Sequence, residues 1–474
     1  MIIIIKCLRM LYFKNFAGMF IFCFLLLAKE GVAQMPAPTL KEIVEDALRK
    51  DYGLANSKLD VAHTQVEMKQ LKEAYLPRIE ASAKNAFLLS SFKITSPEIS
   101  IPHLNIDIQE GYNRYTSTAN LLNAGVGASV LLYSGGKVPQ LKKALNEKVQ
   151  AQTVIMEKDR QEIIGQIMAV YDHFALLDQA KRVLDESAKR LAENKRIADK
   201  ALEYGLITKY EHQKIEIAQA QLAAALADYE GKKELVIEQL HLLTDIEKER
   251  LNLIANNLIP MLIQTSGNGI ENRSELKALL ALSQAAQHKI KAENTWFVPK
   301  IQAATSLSYV GLLAGHLRSS EPVLPGGNKL SSDLPNLHVF PLFNVGIGLK
   351  WDLFDGNTGR REVEKATLEW QKIKNEKSEL TEKLELNLTK CYTDYKVALA
   401  QINLKRKEKE MTSNALKQAT GEYRVGLIRS SQLVDAEEDY QKASLGYVQA
   451  IYDQRRAAVA LRLATGDMRL EEIQ

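Results

Sequence analysis

Eight histidines and a few cysteines are the residues with the most obvious capacity for metal or nucleophilic chemistry, and their spacing supports neither. No His-Glu-x-x-His frame or Cys-x-x-Cys pair occurs, so no metal-holding set is spelled out. Gly135-Gly136-Lys137 ends like a phosphate-cradling loop. Leu131 stands where the loop's first glycine belongs, however, and Val138 where its hydroxyl belongs. Gly125-Val-Gly127 and Gly346-Ile-Gly348 lack the third glycine of a dinucleotide turn and sit inside strand-like runs. The basic run Lys405-Arg406-Lys407 is followed by Glu408 and Glu410, which reads as a solvated helix face. Neither an enzyme nor a resident cofactor or metal is expected.

The elements that carry these residues are those of a large folded protein. Of 474 residues, 46% are hydrophobic and 25% charged, which excludes a disordered chain. Lysine and arginine total 62 against 58 acids, a net charge of +4, without the basic excess of a nucleic-acid binder. Three cysteines exclude a disulfide scaffold.

The N-terminus reads as an export signal. Lys6, Arg9 and Lys14 precede an apolar run from Phe16 to Ala28, and Gly31-Val32-Ala33 supplies the small residues of a cleavage site before Gln34. The apolar run is short for a membrane anchor. Removing residues 1–33 leaves a charge of +1 and Cys391 as the last cysteine. No later segment has 18 consecutive apolar residues, so an exported chain would be soluble or would cross a membrane as β-strands.

Two proline-free stretches, 140–259 and 342–474, are rich in Ala, Leu, Glu, Lys and Gln, the strong helix formers. Ile163, Val170, Leu177, Leu184, Leu191 and Ala198 recur every seven residues, with Ile167, Phe174, Ala188 and Leu202 filling much of a second seam. Lys181 and Lys195 interrupt it. Heptads of this length predict long helices packed as coiled coil. A helix over 137–203 spans on the order of 100 Å at ~1.5 Å per residue.

The chain also repeats itself. Gly125-Val-Gly127, Tyr133-Ser-Gly135, Gly205-Leu-Ile207 and Leu242-Leu-Thr244 recur 221 residues later as Gly346-Ile-Gly348, Phe354-Asp-Gly356, Gly426-Leu-Ile428 and Leu463-Ala-Thr465. A shared offset over most of the chain predicts tandem duplication. The expected organisation is a signal peptide (1–33), a first repeat (34–245), a linker (246–270) and a second repeat (271–474). The first repeat holds a helix, a β-hairpin about 78–134, and helices 137–203 and 208–243. The second holds a helix, a hairpin about 300–354, and helices 358–424 and 430–465. The fold class is mainly α with a small β part.

The strand segments alternate. Phe343, Val345, Ile347, Leu349 and Trp351 are separated by Asn344, Gly346, Gly348 and Lys350, a period that puts one face in oil and the other in water. A soluble sheet alternates in the same way. Tyr75, Tyr133, Trp296, Phe297, Trp351 and Phe354 gather at the helix-proximal ends, as an interfacial aromatic girdle would. Four strands are too few to close a barrel, which takes ~8 or more, so partner chains are required. The stretches 89–120 and 313–337 are expected as polar loops beyond the hairpins.

The duplicated strand–strand–long-helix unit resembles the TolC family of outer-membrane efflux proteins. The resemblance is carried by Leu76-Pro-Arg-Ile79, Tyr133-Ser-Gly-Gly136, Phe354-Asp-Gly356, Tyr423-Arg-Val-Gly426 and Leu433-Val-Asp-Ala-Glu437. It implies a homotrimer, with a twelve-strand barrel in the outer membrane of a Gram-negative bacterium and a twelve-helix periplasmic tunnel. It also implies a periplasmic adaptor and an inner-membrane transporter of the RND or ABC type. The turns Tyr204-Gly205-Leu206-Ile207 and Val425-Gly426-Leu427-Ile428 would form the tips that meet the adaptor. A periplasmic gate would involve Asp435, with Gln432, Tyr423 and Arg429 nearby. Gln432 replaces a residue that is often acidic, and the basic residue of the tip lock is shifted to Arg429. The competing reading is an exported trimeric coiled-coil spacer or adhesin without a pore. Drug, metal and protein cargo all stay open.

Overall fold

A computed structural model describes residues 36–96, 99–101, 106–108, 111–255, 257–263, 269–324 and 327–468. The expected signal peptide lies outside the described residues. The chain is mainly helical with antiparallel sheet. It divides into two compact units. One gathers Met1–Ala55, Asp159–Ile270 and Glu385–Gln474; the other gathers Asn56–Lys158 and Glu271–Leu384.

In chain order the first repeat gives α1 (Leu40–Lys50), α2 (Tyr52–Glu73), β1 (Arg78–Ser96), β2 (Ile99–Ile101), β3 (Ile106–Ile108), β4 (Gly111–Tyr133), α3 (Lys137–Glu203) and α4 (Lys209–Thr244). A single turn, α5 (Lys248–Leu251), follows. The second repeat gives α6 (Ser274–Glu293), β5 (Lys300–Leu324), β6 (Asn328–Leu334), β7 (Leu337–Lys350), α7 (Thr358–Arg424) and α8 (Ser430–Thr465). Helices α3 and α7 each run 67 residues, and α4 and α8 each run 36. Equal element lengths thus accompany the motifs that share the 221-residue offset.

Five strands form one antiparallel sheet in the order β1–β4–β5, with β6 and β7 both pairing β5, while β2 and β3 pair as a separate two-stranded ribbon. β7 covers β5 from Lys300 to Leu312 and β6 covers it from Gly315 to Leu324, so the two act as one interrupted ribbon on that edge. Phe343, Val345, Ile347 and Leu349 are all exposed. The expected polar loops are corrected here, because β1 continues to Ser96, β4 begins at Gly111 and β5 reaches Leu324. Serine- and threonine-rich sequence such as Ser90-Ser91 and Thr116-Ser117-Thr118 still completes the ladder, since backbone pairing does not need apolar side chains.

Both heptad seams contribute to the core of the helical unit, but Ile164 and Met168, outside them, are buried while Ile163 and Val170 are only partly so. Ile164, Ile167, Met168, Phe174 and Leu177 of α3 pack with Val236, Ile237 and Leu240 of α4, Val459 of α8 and Ile43 and Val44 of α1. Leu184, Leu191 and Ala198 continue the seam against Ile215 and Leu222. The two interrupting lysines face partners on α4: Lys181 Nζ lies 2.8 Å from Glu230, and Lys195 lies 3.7 Å from Glu216. Snorkelling stems let them flank the seam without burying charge.

Candidate functional site

The two helix reversals are built alike. At the first, Gly205 takes a left-handed φ of +68° and the Leu206 N–H donates to Ala201 O at 2.7 Å; at the second, Gly426 has φ +76° and the Leu427 N–H donates to Glu422 O at 2.9 Å. This six-to-one bond is the Schellman closure, which needs a residue without a Cβ penalty at the left-handed position. Tyr204, Leu206, Val425 and Leu427 are all 70–77% exposed, leaving four apolar side chains in solvent. Ile207 and Ile428 instead turn inward against the neighbouring clusters.

The helices leaving the reversals start differently. Thr208 caps α4, its Oγ1 accepting the Glu211 N–H at 3.2 Å. The Glu211 carboxylate reaches the other tip and accepts the Ser431 N–H at 3.0 Å. Arg429 occupies the same position before α8 and offers no acceptor. Here Gln432 supplies one half of a capping box, accepting the Arg429 N–H at 3.0 Å. Tyr423 is packed with Leu416 and Leu433, with its hydroxyl 3.3 Å from Ser430 Oγ. Asp435 is exposed on α8.

Two acid–arginine pairs that the sequence did not disclose join α3 to α8. Arg455 Nε donates to Asp172 Oδ2 at 2.8 Å, with side chains only 8% and 3% exposed, and Nη1 donates to Ile259 O at 3.1 Å. Burial pushes the Asp172 carboxyl up, and the Arg455 guanidinium pulls it back toward the charged form. Nearer the tip, Arg190 grips Glu437 with contacts of 2.9–3.1 Å while its guanidinium stands 5.1 Å from the centre of the Tyr440 ring. Beside Arg455, Gln454 holds the backbone of Met261 from both sides, accepting its N–H at 2.8 Å and donating to its carbonyl at 2.6 Å. Tyr395 OH accepts the Ile263 N–H at 2.9 Å. The linker segment is thus strapped to α7 and α8. The available signal was Gln454-Arg455-Arg456 set inside an Ala-, Leu- and Val-rich run, where a charge asks for a buried partner.

In the strand unit, Trp351 Nε1 donates to Phe297 O at 2.9 Å, and Phe297 stands edge-on to Trp296 at 5.7 Å. Tyr75 OH lies 2.8 Å from Ser134 Oγ. Tyr133 and Phe354 are exposed. Trp296 covers Gly359 so closely that a Cβ there would stand 2.3 Å from the indole.

On the outer strands, His316 lies between Asp333 at 2.9 Å and Ser331 at 3.2 Å, the hydrogen-bond order of a nucleophile relay. Asp333 is 93% exposed, so the desolvated setting that makes such a relay catalytic is missing. Among the described residues no group of three or more His, Cys, Asp or Glu is placed to hold a metal, and no helix is long and apolar enough to cross a membrane.

Paired long helices, two equivalent reversals and an open four-ribbon sheet form a fold that solved outer-membrane channels share. The fold matches the Campylobacter jejuni CmeC outer membrane channel with a TM-score of 0.66 and 16% identity, covering 92% of this chain and 87% of that one. It matches the open state of the Neisseria gonorrhoeae MtrE outer membrane channel at 0.66 and 16%, covering 94% and 95%. The Vibrio cholerae outer membrane protein VceC matches at 0.64 and 17%, covering 90% and 96%. In sequence, residues 267–467 match the family model described as outer membrane efflux protein. The Brucella suis outer membrane efflux protein BepC is 20% identical over 371 residues, 77% of each chain. The second part of the chain thus matches the outer membrane efflux family and the whole chain is similar to these proteins, which are transport channels rather than enzymes.

Proposed function

We propose that this chain is one subunit of a trimeric outer-membrane exit duct, passing substrates that an inner-membrane transporter delivers through a periplasmic adaptor. The carrying observation is the open sheet. Among the described residues β1 pairs only with β4, and β7 only with β5, so each end of the sheet keeps a free edge. Long free edges beside exposed apolar side chains are a liability unless another copy covers them. Three copies of four ribbons close as twelve strands, with lipid taking the apolar face.

The helical part belongs in the periplasm on this reading, with the exposed apolar tips at Tyr204, Leu206, Val425 and Leu427 receiving an adaptor. Asp435, exposed about two turns behind the second tip, brings three carboxylates around the axis in a trimer and favours cations there. Substrates pass without covalent chemistry, and their choice rests with the transporter, of the RND or ABC class.

The test is to purify the protein from outer membranes in detergent, measure protomers per particle by light scattering, and then record conductance in a planar bilayer. Three protomers with discrete channel openings support the duct. A trimer that never conducts favours the coiled-coil spacer, and a monomer released by salt alone removes both.

A further inference from the structure

Two apolar stripes in the helical unit face away from its own core. On α7, Tyr395, Ile402 and Leu416 point inward, while Leu386, Val397, Leu404 and Met411 on the opposite side are 49–73% exposed. On α4, Ile215, Leu222 and Leu240 point inward, and Ile217, Ala224, Gly231 and Leu242 run down the opposite side in solvent. The steps along α7 are eleven, seven and seven residues; along α4 they are the same steps read in reverse. Two antiparallel helices with that relation meet residue against residue: Leu386 with Leu242, Val397 with Gly231, Leu404 with Ala224 and Met411 with Ile217. Bulk on α7 faces small residues on the middle of α4.

The duplication supplies the same register independently. Within the protomer α3 packs against α8, where a Cβ on Gly165 would stand 2.8 Å from Leu463 Cδ1. Adding the repeat offset to Gly165 gives Leu386 on α7, and subtracting it from Leu463 gives Leu242 on α4. The contact inside one chain therefore has a counterpart whose halves lie on opposite repeats, both exposed. In a closed ring of repeats that counterpart forms between neighbouring copies.

Gly231 points the same way. It lies in mid-helix, where glycine is less favourable than alanine, yet a Cβ added there would meet nothing within 4 Å. Nothing within the protomer calls for its missing side chain; the approach of Val397 from another copy does. Charge agrees at one level of this register, where Lys390 on α7 stands opposite Glu238 on α4, whereas Lys396 falls opposite Lys232.

We infer that α7 of one copy packs antiparallel against α4 of the next, with Val397 seated over Gly231, and that this seam joins the subunits of the duct. The inference rests on the trimer proposed above and adds its helical contact and register. It is tested in full-length protein in outer membranes, with Cys391→Ser as background. Val397→Cys with Gly231→Cys should oxidise to a covalent trimer, because a disulfide needs Cβ atoms ~3.8 Å apart, while Val397→Cys with Ala224→Cys, one heptad out, should yield about tenfold less. Gly231→Leu should lower the trimer fraction roughly tenfold through overpacking, whereas on an open surface leucine would only strengthen the helix. The seam is overturned if light scattering shows three protomers but the in-register pair fails to link, if both pairs link equally, or if Gly231→Leu leaves the trimer intact. A protein that is not trimeric before any substitution overturns the duct reading instead.

Discussion

The two repeats have equal helices and equal turns, yet equivalent positions serve different ends. Asp172 and Arg455 make a buried ion pair between α3 and α8, while their counterparts by the repeat offset are Thr393 and Glu234, both exposed. Thr208 caps its own helix and the carboxylate of Glu211 serves the other tip, while Arg429 caps nothing with its side chain. Duplication copied the backbone plan. The side chains that lock it have diverged, so that one repeat holds the other in place.

That asymmetry can be broken by substitution. Asp172→Ala strands Arg455 in the core and should cost about 3–5 kcal/mol, whereas Thr393→Ala should stay within about 0.5 kcal/mol; thermal loss of helicity in detergent measures both. Gln454→Ala removes both bonds to Met261 and should cost about 1–3 kcal/mol, seen as faster amide exchange across 257–263. Its counterpart Lys233→Ala should leave those amides as protected as before. Glu211→Ala deprives α8 of the bond at Ser431 and should cost about 1 kcal/mol, read as fraying in the first turn of α8. The smallest change sharpens the comparison: Arg429→Ser gives the second tip the acceptor that Thr208 gives the first. It should add roughly 0.5–1 kcal/mol and slow exchange at Gln432 and Leu433.

Much of this fold was legible because its signals are long. Proline-free heptads specify helices however they pack, and Gly205 and Gly426 mark reversals that need a left-handed residue. Strand alternation marked the helix-proximal parts of the sheet but failed from residue 89 outward, where serine and threonine replace the apolar partners while the backbone ladder continues. The buried pairs were not legible, because Asp172 and Arg455 are 283 residues apart and neither carries a periodic mark. Tyr423 and Gln432 show a related limit. A motif can place them beside Asp435, but only coordinates show one buried against Leu416 and Leu433 and the other capping a helix.

The indole of Trp296 over Gly359 bears on how the two halves of this gene can change. Ahead of the hairpins the offset is 222, since Leu76-Pro-Arg-Ile79 recurs as Val298-Pro-Lys-Ile301, so the first half carries Ala74 and Val138 in their places and the large member of the pair has moved to the other partner. Copying the first-half segment around Val138 over Gly359 would drive a branched side chain into the ring. Copying the stretch around Ala74 over Trp296 would instead strip the cover from a glycine. Either exchange alone breaks the packing, so the two positions can be exchanged between the repeats only together.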